Sequence, residues 1–147
     1  MENPVFDILA MVHLVMLSLW GGVVATEAVI EVLPFRQRDL HAATIRFHYW
    51  IDLLVELPLV LAVTTTGVAL FFLTDPLTPL HWVKVGFGGA AVAVNLFCIV
   101  VVVKRGRGDE PRLWRASRTV LACFVIGLLC AAGAAILGFR FAIERLG

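Results

Sequence analysis

The stretch FHYWIDLLVELPLVLAVTTTGVALFFL, residues 47–73, decides how the chain folds. From Trp50 to Leu73 it is apolar apart from Asp52, Glu56 and the threonines 64–66, and it is long enough to cross a bilayer, which takes roughly 20 residues of helix. Its ionisable residues, His48, Asp52 and Glu56, stand four apart. That spacing puts them one above another on one side of a helix. The segment is at once a membrane span and an unusual one.

Similar apolar runs lie at 6–26, 82–103 and 119–139. With 61% hydrophobic residues and a mean hydropathy of +0.94, the 147-residue chain is too apolar for a soluble domain of its size. The spans expected are 6–31, 46–73, 80–103 and 116–142, in a single membrane domain covering 1–147. Short connections predict an all-α, four-helix up-down-up-down bundle. The first span has Glu2 and Asp7 where a signal peptide carries basic residues, so it reads as a retained span.

Lys and Arg total 12 against 11 Asp and Glu, a balance that says little about partners and nothing in favour of nucleic acid. Position along the chain says more. Arg36, Arg38 and Arg46 separate spans one and two, and Lys104, Arg105, Arg107, Arg112, Arg115 and Arg118 separate spans three and four. Basic loops stay in the cytoplasm. Both termini and the loop TDPLTPL (74–80) then face the outer, periplasmic side of a bacterial inner membrane. Cys98, Cys123 and Cys130 fall within spans three and four without metal-ligand spacing and read as small buried hydrophobes.

Depth divides the intramembrane polar residues into two sets. The outer one holds His13, His81, Lys84 and Arg140; the inner one holds Glu27, Glu31, His48, Asp52, Glu56, Asn95 and Arg118. A charge inside a bilayer costs several kcal/mol, on the order of 3 at the helix centre, so it faces a partner, a cofactor or water. Glu31, His48 and Arg145 lie close enough to helix ends to reach the interface by snorkelling. Glu56, two turns inside its span, needs an internal partner.

The outer set has the makings of a haem site. His13 and His81 are candidate iron ligands, Lys84 and Arg140 suit propionates, and Trp20 and Trp82 with Gly21, Gly22, Gly86, Gly88 and Gly89 can shape a slot. Counting helical rise puts His81 at the membrane lip and His13 about one and a half turns deeper, so pairing both on one iron requires tilt. Met11 and Met16 beside His13 leave copper as an alternative. In the inner set, packing of spans one and two brings two acidic stripes together. Arg118, a proton on Glu56 or a divalent metal, with His48 as an alternative ligand, would relieve their repulsion. Pro58 predicts a kink beside Glu56.

HLVMLSLWGG (13–22) and LHWVKVGF (80–87), followed by a basic loop into span four, resemble the family of small membrane proteins that includes HemJ-type protoporphyrinogen oxidases and the membrane domain of the copper-resistance protein CopD. The resemblance implies a b-type haem (haem b), with His13 in the place of the span-one histidine and Lys84 in that of the span-three lysine. The sequence departs from the family where a further span-three histidine is usual, with Asn95 there, and where basic residues follow span one, with Glu27 and Glu31 there. The expectation is therefore a haem protein that transfers electrons or oxidises a membrane-soluble substrate, with Glu56 and Asp52 as a proton relay. A quinone, porphyrin or redox protein would be its partner. A copper-handling protein, a proton or ion carrier, and a homo-oligomer or subunit of a larger membrane complex stand as alternatives.

Overall fold

The computed structural model describes residues 4–74, 77–105 and 110–146, with side chains undescribed at 38, 110–114, 142 and 144–146. The expectations placed on Arg38, Arg107, Arg112, Arg145 and the middle of the 74–80 loop lie outside these described side chains and residues. The fold is all-α. Helix α1 runs Pro4–Arg36, α2 His41–Phe72, α3 Pro79–Arg105 and α4 Glu110–Leu146. Each of the four contains a window long and apolar enough to cross a membrane.

Neighbouring helices run in opposite directions along their contacts. His13, Trp20 and Glu31 of α1 bond to Thr66, Glu56 and His48 of α2, a rising series against a falling one. Phe71, Glu56 and His48 of α2 meet Trp82, Asn95 and Arg105 of α3 in the same manner. Helices α1 and α3 occupy opposite corners, with α2 and α4 between them.

Two small apolar clusters hold the corners together. Trp20, Val60, Val63 and Ala91 form one, and Cys98, Val102, Val120 and Cys123 the other. Many large apolar side chains point outward instead, among them Leu54, Phe72, Leu128, Leu129 and Phe139. An oily exterior around a polar interior suits lipid, where the exterior needs no water and every buried polar group needs a partner. Small residues allow the close approaches. A Cβ on Gly67 would stand 3.2 Å from the His13 ring, and one on Gly133 would stand 3.0 Å from the Phe87 ring.

Three local features set the polar side chains. The hydroxyls of Thr64, Thr65 and Thr66 donate back to the carbonyls of Val60, Leu61 and Ala62, so the threonine run stays satisfied inside the span. The start of α3 is capped by Thr78. Its backbone N–H donates to His81 Nδ1 at 3.1 Å, while its carbonyl accepts from the His81 N–H. The side-chain bond back to the Thr78 N–H is one half of a capping box, with histidine in the glutamate position; the other bond is an ordinary backbone i+3 bond and does not use the threonine hydroxyl.

In α2 the backbone widens into a π-turn over Asp52–Glu56, where the N–H of Leu57 bonds the carbonyl of Asp52 five residues back. Pro58 is the physical cause. It brings no N–H, and its ring crowds the carbonyl of Leu54, so the turn before it opens. In a regular helix each four-residue step swings a side chain about 40° round the axis. The wider turn takes up part of that swing, and His48, Asp52 and Glu56 all stay on the inner face.

Candidate functional site

The centre of the bundle is polar and sealed. Glu27, Glu31, His48, Asp52, Glu56 and Arg105 are each at most 4% exposed. His48 and Asp52, expected near the water interface, are both 1% exposed. The helix begins at His41, not at the first apolar residue, so His48 already lies about two turns inside it. Glu31, expected at the interface as well, is fully buried.

The counter-charge comes from a residue that sequence reasoning placed in a loop. Arg105, the last residue of α3, reaches across the bundle and donates from Nη1 to Glu31 Oε1 at 2.6 Å. Arg118, expected in that role, is exposed. Asn95, Cys98, Val102 and Arg105 occupy one stripe of α3, all buried, and this stripe was the signal available for finding Arg105.

Histidine 48 stands at the junction. Its Nδ1 is 2.8 Å from Glu31 Oε2 and 3.1 Å from Arg105 Nη2. One nitrogen cannot donate to the first and accept from the second. The shorter contact decides: a carboxylate already bonded by arginine only accepts, so Nδ1 carries the proton and donates. Nε2, on the far side of the ring, faces Asp52 Oδ1 at 3.4 Å and Glu27 Oε2 at 3.8 Å. Neither contact is a good hydrogen bond. Among the described residues no N–H or hydroxyl donates to His48 Nε2 or to the carboxyl oxygens of Glu27 and Asp52, and these two carboxyls lie within hydrogen-bonding reach of each other. Phe124 of α4 stacks on the imidazole with the rings 2° from parallel and 5.9 Å apart.

Glu56, the deepest carboxyl of the 47–73 stretch, has partners. Trp20 Nε1 donates to its Oε1 at 3.3 Å and Asn95 Nδ2 donates to the same oxygen at 2.5 Å. Trp20 was expected in a cofactor slot with His13. Its indole N–H instead turns to the buried polar centre, where Glu56 supplies the acceptor it needs.

The residues expected to form the outer site divide between two helix pairs, His13 packing on α2 and His81 and Lys84 facing α4, with Lys84 near enough for its charge to act on His13. His13 packs against α2, its Nδ1 2.8 Å from Thr66 Oγ1. Because that hydroxyl spends its hydrogen on the Ala62 carbonyl at 2.7 Å, His13 is the donor, and its Nε2 keeps a lone pair. His81 lies between α3 and α4, stacked on Phe141 at 4.0 Å, and its Nδ1 is taken by the Thr78 cap. Lys84 is half-buried, 5.9 Å from the same Phe141 ring. Arg140 and Trp82 are exposed. Positions 21, 22, 86, 88 and 89 border open space: a Cβ added at any of these glycines meets nothing within 4 Å. Met11 is exposed, and Met16 packs on the Trp20 cluster.

Compared with models of known protein families, with curated proteins and with solved structures, the chain has no match in any of the three.

Proposed function

We propose that the protein is a cation carrier of the bacterial inner membrane. Its four helices run up-down-up-down with both termini on the periplasmic side, and its buried centre binds a cation that enters from the cytoplasmic side. One observation carries this reading: among the described residues, four carboxyls, Glu27, Glu31, Asp52 and Glu56, are enclosed with a single arginine, Arg105, and with His48. Enclosed carboxylates in such excess repel one another unless a cation or proton joins them. Intramembrane acids facing a bundle interior mark ion or proton pathways. The basic residues Arg36, Arg46, Arg115 and Arg118 support a cytoplasmic position for the end of the bundle nearest Glu31 and Arg105.

Reconstitution tests the reading. Liposomes containing the full chain, with a pH-sensitive dye and in parallel a divalent-metal-sensitive dye trapped inside, should show cation entry above protein-free vesicles. Asp52→Asn should remove it. Equal rates with and without protein for both dyes would overturn the proposal.

A second reading keeps haem b, and a specific observation favours it: Thr66 holds His13 Nδ1 and leaves Nε2 available, as second-shell bonding orients an axial histidine. In this reading the chain handles electrons for a porphyrin, quinone or redox partner, with His13 as the iron ligand. The spectrum of protein purified from haem-replete cells decides it. A Soret band lost in His13→Ala supports haem, and its absence from the wild type removes it.

A further inference from the structure

From the geometry round His48 we infer that the buried centre is a specific site for one divalent first-row transition-metal ion, ligated by His48 Nε2, Glu27 and Asp52. This deepens the cation reading and rests on it for the role of the ion, while the binding site itself stands on the distances alone. One suitable donor atom from each of these three residues lies within 4.8 Å of the others. The separations are informative. At 3.4 Å to Asp52 and 3.8 Å to Glu27, His48 Nε2 is too far for the short bonds, about 2.7–2.9 Å, that an imidazolium makes to carboxylates. Two donors that share an ion about 2.1 Å from each stand roughly 3–4 Å apart. The spacing is wrong for a hydrogen-bonded pair and right for two ligands of one ion.

The tautomer agrees. With its proton on Nδ1 and directed at Glu31, neutral His48 aims a bare lone pair between the carboxyls of Glu27 and Asp52, where a cation would join all three groups. Glu31 is then the outer carboxylate that orients the ring and raises its basicity, and Arg105 in turn orients Glu31. The partnerless, buried Nε2 is an observation independent of the acidic cluster and points to a ligand between the three side chains. Glu56, held by Trp20 and Asn95, lies outside the ligand set.

The donor set selects the ion's class. An imidazole nitrogen with two carboxylates favours manganese, iron, cobalt or zinc over magnesium and calcium, which take oxygen alone. It also disfavours copper(I), which calls for sulfur ligands. Among the described residues, Cys98 and Cys123 are buried in the neighbouring apolar cluster and are not part of this donor group.

The test uses full-length protein in detergent, stripped with chelator and titrated with Co2+. The wild type should take up one ion per chain with visible d–d bands, and Zn2+ but not Mg2+ should abolish them. Glu27→Gln and Asp52→Asn should each weaken Co2+ binding at least about tenfold, and Glu31→Gln should weaken it by about 10- to 100-fold. Arg118→Gln, on the exposed surface, should stay within about twofold. Size-exclusion profiles and helical circular dichroism guard against misfolded variants. Pulsed electron paramagnetic resonance of Mn2+-loaded wild type needs no variant and should report one coupled imidazole nitrogen.

No stoichiometric uptake by the wild type, or uptake that survives the Glu27→Gln, Asp52→Asn double substitution, overturns the site and leaves a proton shared by the two acids as the account of their proximity. Proton entry into vesicles without Co2+ binding would defeat the metal site and keep the carrier. Co2+ binding with a nitrogen ligand but no cation entry would do the reverse.

Discussion

Arg105 donates to Glu31 across the diagonal of the bundle, from the last residue of α3 to the penultimate turn or so of α1, with 2.6 Å between the two atoms. Since α1 and α3 occupy opposite corners, this pair ties together helices that the backbone packing leaves apart. It also fixes which oxygen of Glu31 remains for His48. The stability of the bundle and the orientation of the proposed ligand histidine therefore depend on the same ion pair.

Removing one partner leaves the other charge enclosed. Arg105→Gln should lower stability by about 3–5 kcal/mol, the usual result of breaking a buried pair. Removing both, as in Arg105→Met with Glu31→Leu, should recover most of that loss. Thermal unfolding in detergent, followed by the fluorescence of the tryptophans, measures both. A double variant as unstable as the single one would mean that Arg105 contributes through packing and not through its charge.

The close approach of α2 to His13 gives a second expectation. Gly67→Ala places a methyl group 3.2 Å from His13 Cε1, and only movement of the ring or of the helix relieves the contact. Overpacking of this kind costs about 1–3 kcal/mol. The thermal midpoint should fall, and His13→Ala in the same background should restore it, because the obstacle is then gone. No restoration would locate the strain elsewhere.

The α3 cap is separable from the centre. Thr78→Ala removes the hydroxyl that lies 2.8 Å from His81 Nδ1 at the start of the helix. Loss of a side-chain hydrogen bond of this kind costs about 1 kcal/mol. Stability should drop by that order while Co2+ binding stays unchanged, since the capped end is far along α3 from Arg105. Weakened metal binding would show that the end of α3 governs the position of the site.

How far all this could be read from the sequence depends on which physical rule each feature obeys. The four helices were legible because lipid tolerates only long apolar segments, and four helices of that length and composition are present. The inner stripe His48, Asp52, Glu56 was legible from its spacing. Its depth was not, because counting began where apolar residues begin, whereas α2 starts earlier at His41. Arg105 was hidden inside a basic run that the positive-inside rule assigns to a loop, and a long side chain at a helix end can turn either way. Trp20 was drawn toward His13 by their nearness in sequence. The indole N–H, which needs an acceptor, binds it to Glu56 on another helix.

Pro58 offers the sharpest link from a single residue to the site. It has no N–H to give to the carbonyl of Leu54, and the turn over Asp52–Glu56 opens so that Leu57 bonds five residues back. Pro58→Ala restores the missing donor and lets the segment close into a regular helix with four-residue bonds. Asp52 would then rotate relative to Glu56, and the register between His48 and the rest of α2 would shift by a fraction of a turn. Helix content should be unchanged, and stability should stay the same or rise, because an interior proline is unfavourable by about 3 kcal/mol in an ordinary helix. Co2+ affinity should nevertheless fall at least about tenfold, because ligand placement an ångström off is enough to weaken a metal site. A Pro58→Ala protein that binds the metal as well as the wild type does would mean that the three ligands are aligned by side-chain freedom and that the widened turn has no part in building the site.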